Sequence, residues 1–332
     1  RQIRVYVRMT GEATNALGVP ASQVNWSPIT NIDFASSGNA TLVWNSAAGL
    51  VYDVYRSDNS VGYGQPWSWT MLVNGTNAAS TQSVLMVSAS VTQRFFQVVP
   101  AGEAPASNGL WAVIRPTIPS GYSLFGPPVM SDRQFTSEFG SNLAARLTSG
   151  DTTPDNGNGD EVFVRQADGT YQQILLSTAS GWIVATNGLP ASTTLQPGQG
   201  VYILRNGSTV TGEFAGPVGN LAQLGTPQST NVIYEGYNII SMSQGRLVSI
   251  QEAFSDTISG SPYGSNDDQI ADQIIIQVPN GSGIWHRYFF GADNQWHDVQ
   301  QLGFPAANID LRPGQAYFYL RHAGSGNMTT RY

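Results

Sequence analysis

An internal repeat limits what this chain can fold into more than any other feature. Gly121-Tyr122-Ser123-Leu124-Phe125 recurs as Gly236-Tyr237-Asn238-Ile239-Ile240, and Leu195-Gln196-Pro197-Gly198-Gln199 recurs as Leu311-Arg312-Pro313-Gly314-Gln315. The landmarks between these ends keep their order. Phe135, Phe139 and Leu143 match Ile250, Phe254 and Ile258, while Asp160, Tyr171, Trp182, Pro190 and Arg205 match Asp272, Trp285, Trp296, Pro305 and Arg321. The offset stays between 112 and 116 residues, so the last two thirds of the chain read as two copies of one unit of about 115 residues.

Each copy reads as mostly β with one short helix. Phe135, Phe139, Leu143 and Leu147 lie four apart, as on one face of a helix beginning near Ser131 or Asp132. Runs of alternating or continuous apolar residues predict strands over 161–165, 171–176, 181–186 and 200–205, and over 273–278, 284–290, 295–299 and 316–321. The first hundred residues differ: short period-two runs at 40–44, 51–56, 67–72, 83–87 and 94–99, separated by Gly, Ser and Asn, predict a β-sandwich. A Pro- and Ala-rich stretch over 98–107 then reads as a linker. The expected architecture is therefore all-β and multi-domain: 1–104 an N-terminal strand and sandwich, 105–225 copy 1, and 226–332 copy 2.

Trp44 ends one predicted strand and Tyr52-Asp53-Val54-Tyr55 opens the next. This pattern, over about residues 30 to 100, resembles fibronectin type III or immunoglobulin-like domains, in which an inward Trp packs under the following strand. The two copies also resemble a domain of secreted and surface proteins of environmental bacteria, which opens with Gly-Tyr-Asn-Leu-Ile and closes with Pro-Gly-Gln-Gly. Here those elements stand as Gly236 to Ile240 and Pro197 to Gly200, with Ala316 replacing the last Gly in copy 2. That resemblance implies export and a modular β build, and no activity.

The chain has no Cys and no Lys, so all fifteen formal positive charges are Arg. Disulfides, thiolate metal sites, Cys nucleophiles, Schiff bases and Lys–Asn isopeptide crosslinks are thereby excluded. A net charge of −7 speaks against nucleic acid or an anionic membrane as partner, and no apolar run reaches the ~18 residues of a membrane span. The sequence begins at Arg1 without an initiator Met, as expected of a processed, exported chain, so the expected location is extracellular or at the cell surface.

Enzyme chemistry finds little support. The three histidines, His286, His297 and His322, all fall in copy 2. His286 and His297 with Asp298 form a candidate metal set only if they meet across neighbouring strands. No Gly-x-Ser-x-Gly elbow, His-Glu-x-x-His helix or dinucleotide fingerprint is present, and no Glu sits in a recognisable glycosidase context. No cofactor is expected, with one exception: the oxygen-rich loop bearing Asp151, Asp155, Asn156, Asn158 and Asp160 is a candidate calcium site.

Two segments point to binding. Trp285, Tyr288 and Trp296 are candidate sugar-stacking residues on a β surface. At the N-terminus Arg1, Ile3, Arg4, Val5, Val7 and Arg8 alternate as in a half-buried strand. This basic segment, joined to a body with twelve Arg and twenty-two acids, is suited to pairing with a sheet edge of a neighbouring molecule. The leading expectation is a non-enzymatic structural subunit of an extracellular filament, fibre or sheath, with itself as partner, assembled non-covalently by N-terminal strand addition. The alternative is a secreted adhesive protein that binds a polysaccharide.

Overall fold

The computed structural model describes residues 29–34, 39–46, 48–58, 68–88, 93–102, 104–105, 110–128, 134–135, 140, 143–150, 157–196, 198–217, 230–242, 247–255, 257–277, 283–301, 306–307 and 309–331. Mainly β, it divides into two compact units: Arg1–Ser60 with Pro66–Ala112, and Val61–Gln65 with Val113–Tyr332.

In the first unit, β1 (Ile29–Phe34), β2 (Asn39–Asn45), β3 (Val51–Ser57), β4 (Thr70–Asn77), β5 (Gln82–Ser88) and β6 (Gln93–Pro100) are antiparallel. They form one sheet in the order β1-β2-β5 and another in which β3 lies between β4 and β6. Alternation turns Ala40, Leu42 and Trp44 of β2 inward, and Val54, Phe96 and Val98 of the other sheet are also buried. Trp44 meets Tyr52 edge-on at 6.4 Å. The Asp53 carboxylate, buried in β3, accepts hydrogen bonds from the Gly75 amide of β4 and the Gly102 amide in the turn after β6.

β7 (Trp111–Ile114) carries the chain across the boundary. Then follow β8 (Thr117–Ile118), β9 (Gly121–Phe125), β10 (Glu161–Arg165), β11 (Tyr171–Ser177), β12 (Gly181–Val184), β13 (Val201–Arg205), β14 (Val210–Thr211) and β15 (Phe214–Pro217). Copy 2 supplies β16 (Thr230–Ile233), β17 (Gly236–Ser241), β18 (Val248–Ser249), α1 (Ile250–Ala253), β19 (Thr257–Ser259), β20 (Gln273–Gln277), β21 (Trp285–Phe290), β22 (Trp296–Asp298), β23 (Asp310–Leu311), β24 (Ala316–Arg321) and β25 (Met328–Arg331).

The repeat is a repeat of topology. Copy 1 forms a five-stranded sheet β12-β11-β10-β13-β9, and copy 2 forms β22-β21-β20-β24-β17, each strand standing where its sequence match stands. The helix is shorter than the apolar spacing predicts. Ser249 caps α1 by accepting from the Glu252 amide, and Ile250 and Phe254 are buried, but Ile258 has passed into β19 and is exposed. In copy 1, Phe135, Leu143 and Leu147 are buried, while Ser131, Asp132 and Phe139 lie outside the described residues.

A buried ion pair holds each sheet. Asp160 precedes β10 and is fully buried. It takes the Arg205 guanidinium at the end of β13 and the Thr148 and Asn206 amides. Asp272 precedes β20 and takes Arg321 at the end of β24 at 2.5 Å, together with the Tyr263 and His322 amides and the Tyr319 hydroxyl. Burial, followed by the Asp272 charge, pushes the Tyr319 hydroxyl well above its ordinary range, so it stays a donor. Each guanidinium also donates to the loop after its strand, Arg205 to the Ser208 carbonyl and Arg321 to the Gly326 and Ser325 carbonyls.

The two copies interlock reciprocally. The backbone of Phe125 bridges Gln315, and the matching Ile240 bridges Gln199. The Gly126 amide donates to the Gly314 carbonyl, and the matching Ser241 amide to the Gly198 carbonyl. Residue i of one copy meets j of the other while their counterparts meet in return, as in a two-fold symmetric dimer formed within one chain. The approach is close: a Cβ on Gly126 would overlap the Cβ of Ser241, and one on Gly200 would overlap Ala316.

Gly126→Ala is therefore expected to destabilise the second unit by roughly 1–3 kcal/mol in urea unfolding through overpacking. Adding Ser241→Gly should recover most of that loss, a coupling that a double-mutant cycle measures. Independent, additive losses would show that the close approach is not the cause.

Candidate ligand-binding surface

Strand alternation turns one face of each five-stranded sheet outward. In β13, Val201, Ile203 and Arg205 are buried, so Tyr202 lies on the other face, opposite Leu124 of β9, while Tyr122 stands opposite Leu204. The same parity in copy 2 places Phe318 of β24 opposite Ile239, and Tyr237 opposite Leu320.

These side chains form a strip across the junction of the copies. Tyr122 stacks on Tyr202 at 5.1 Å, Tyr202 meets Phe318 at 6.2 Å, and Phe318 meets Tyr237 at 6.3 Å and Trp285 at 5.5 Å. Tyr122 is 52% exposed, Tyr237 54% and Trp285 37%, so the rings present faces to solvent rather than closing a core. Leu124, Ile239 and Ala316 form the buried floor beneath Tyr202 and Phe318. Tyr171, the match of Trp285, is also exposed and lies directly across from Arg165 on the neighbouring strand. Partial burial raises the hydroxyls of Tyr202 and Tyr171 above their ordinary pKa, with Arg165 opposing it at Tyr171. Both rings are neutral hydrogen-bond donors at physiological pH. In the same unit a cleft of about 430 Å³ opens between the copies, lined by Arg165 of β10 and by Tyr234, Asn238 and Ile239 of copy 2.

Of the three sugar-stacking candidates, only Trp285 reaches this surface. Trp296 and Tyr288 belong to the core of copy 2, where Trp296 packs against Phe254 at 5.5 Å and Phe290 at 5.3 Å. Trp296 and Tyr288 are thus corrected to core residues, because alternation along β21 and β22 turns them inward. Tyr122, Tyr202, Tyr237 and Phe318 take their place in the strip.

The candidate calcium loop is described only in part: Asp151, Asp155 and Asn156 lie outside the described residues. Asn158 is placed beside Asp160, whose two oxygens are already taken by Arg205 and two backbone amides. A guanidinium occupies the position that a cation would need at Asp160. In copy 2, Asp268 pairs with Arg287, Asp267 accepts from the Gln269 amide, and Asp272 holds Arg321. The condition for a metal set at His286 and His297 is not met, because the register sets His297 opposite Phe289 and His286 opposite Ile276. His297 instead lies 2.9 Å from Asp293, and Asp298 accepts from the Gln300 amide and the Gln301 side chain. Among the described residues no group of three or more His, Asp or Glu is placed to hold a metal ion. The assembly strand of Arg1, Ile3, Arg4, Val5, Val7 and Arg8 lies outside the described residues.

No family model matches the chain, and comparisons with curated proteins and with solved structures find no match either.

Trp285 and Trp296 thus separate surface from core. Trp296→Ala is expected to cost about 3–5 kcal/mol in chemical unfolding, and Trp285→Ala less than about 1 kcal/mol. Equal losses would place Trp285 in the core as well.

Proposed function

We propose that this chain is a secreted, non-enzymatic β protein that binds an extracellular polysaccharide along the aromatic strip. The strip itself carries the reading. Five contacting rings, three of them well exposed, form an apolar surface of the kind that marks an interaction site. The negative faces of these rings attract the weakly positive C–H bonds on the apolar face of a pyranose ring. The Tyr hydroxyls meanwhile remain available to sugar hydroxyls. The resemblance of the copies to domains of bacterial surface proteins supports the extracellular setting, and no helix among the described residues is long and apolar enough to cross a membrane. Affinity electrophoresis of the full chain against a panel of soluble polysaccharides tests the reading: at least one should retard the protein, and Tyr122→Ala/Tyr237→Ala/Trp285→Ala should abolish retardation while leaving the circular dichroism unchanged. A wild-type chain retarded by none sinks it. Loss of self-association in that variant, with glycan retention intact, would reassign the strip to a protein partner.

A structural subunit of an extracellular filament or sheath is the second reading, and the edge strand β5 favours it. Gln82–Ser88 carries no charge and pairs on one side with β2, and among the described strands none pairs with its other side. Val84 and Met86 stand 63% and 66% exposed on one face of it. A long, uncharged, apolar edge is a template for strand addition, and the segment bearing Arg1, Ile3, Arg4, Val5, Val7 and Arg8 has the alternation of an incoming strand. Native chain is expected to form fibres in electron micrographs and high-mass species in light scattering. Deleting residues 1–9, or the Val84→Lys/Met86→Lys pair, should leave folded monomer. Unchanged assembly in both variants excludes strand addition at β5.

A further inference from the structure

We infer that the cleft between the two copies is a subsite for a carboxylate-bearing sugar, a uronic acid residue of the polysaccharide, held by Arg165; the inference rests on the polysaccharide reading of the neighbouring strip.

The charge in the cleft favours an anion. The cleft is lined by Arg165, Thr194, Gln196 and Gln199 of copy 1 and by Asn231 and Tyr234 of copy 2, among others, and no Asp or Glu among the described residues lines it. Arg205, Arg321, Arg115 and Arg287 are each bonded to a carboxylate, whereas Arg165 makes no ion pair among the described residues. Its guanidinium lies 5.3 Å from the centre of the Tyr234 ring and gives one long hydrogen bond, 3.4 Å, to the Gln166 carbonyl. Asp168 feels the Arg165 charge, but its carboxylate is held in its own turn by the amide and hydroxyl of Thr170. A guanidinium stacked on a ring keeps its edge free for the two parallel hydrogen bonds that a carboxylate accepts.

Hydrogen-bonding side chains stand beside the cation. Asn231, 8% exposed, lines the same cleft. Its side-chain amide can both donate and accept, as sugar hydroxyls do. The surrounding wall is already fixed. Gln199 donates to the Arg165 carbonyl at 2.9 Å and accepts from the Gln196 amide, and Asn238 donates to the Tyr234 carbonyl at 2.7 Å.

The repeat supplies an internal control. Gln315 donates to the Gln277 carbonyl at 2.9 Å, the counterpart of the Gln199–Arg165 bond, so the junction has a mirrored position with Gln277 where Arg165 stands. There Pro116 takes the place of Asn231 and packs so tightly on Gly314 that a Cβ would meet its ring at 2.5 Å. Pro116 and Gly314 close on each other at that position, whereas the side with Asn231 opens into a cleft whose cation makes no ion pair among the described residues. Reciprocal packing alone does not produce that difference.

Polygalacturonate, its fully methyl-esterified neutral form and dextran sulfate are the polymer probes, run in affinity electrophoresis against the full chain. Polygalacturonate should bind most tightly. Arg165→Gln should weaken it about tenfold while leaving the methyl ester unchanged, and Arg165→Lys should recover part of the loss. Equal binding of the polymer and its ester, dextran sulfate binding as well as polygalacturonate, or an unaltered preference in Arg165→Gln each overturns the inference and leaves the strip reading standing. Should no polymer bind, the strip reading falls and the subsite is decided by galacturonate alone, titrated while the Arg165 Nε–Hε NMR signal is followed. A saturable shift, lost with Asn231→Ala, supports the subsite, and an unmoved signal overturns it.

Discussion

Each copy of the repeat is organised around one buried carboxylate–guanidinium pair. Asp160 and Asp272 stand at the entry to the central strands β10 and β20, and Arg205 and Arg321 at the exit of the closing strands β13 and β24. Pairs of this kind add little net stability over an apolar core, yet removing one partner strands a charge at a cost of about 3–5 kcal/mol. Their effect here is on register. The carboxylate also accepts the amide that follows the arginine, Asn206 in one copy and His322 in the other, so the closing strand cannot slide against its neighbour. A slip of one residue would exchange the two faces of the strand. Tyr202 and Phe318 therefore owe their outward position to charges on the opposite, buried face.

The junction of the copies imposes the second constraint. The residues before β13 and β24 pair with the other copy's edge strand before the chain continues into its own sheet. Each copy thereby covers an edge that would otherwise be open, and the two copies belong to one compact unit. Gly126 sits at the closest approach, where Ser241 leaves no room for a side chain. The aromatic strip crosses this same junction, so its two halves keep a fixed spacing without any loop to order.

Much of this was legible in the residue pattern. Strands over 161–165 and 316–321 form at the predicted bounds, because their alternation is regular. The pairing of Asp160 with Asp272, and of Arg205 with Arg321, was visible as a match, but not as an ion pair, since each partner lies more than forty residues away. Asp160 consequently reads as an oxygen ligand when judged by its loop alone. Trp296 and Tyr288 were grouped with Trp285 by residue type, and burial followed parity instead. Parity was the signal that identifies Tyr122, Tyr237 and Tyr202, each next to a buried residue of its strand. The cleft had no such signal, because its walls come from both copies.

A polysaccharide has two unlike ends, and a surface repeated about a two-fold axis presents the same outline to a chain laid down in either sense. Tyr122 and Tyr237, Tyr202 and Phe318, and Tyr171 and Trp285 are matched in this way and carry little information about direction. Arg165 against Gln277, with Asn231 against Pro116, breaks the equivalence at one end only. A polymer held by the rings alone would be free to reverse, whereas one that also places a charged residue in the cleft would be threaded in a single sense. Neighbouring molecules along one strand would then all point the same way.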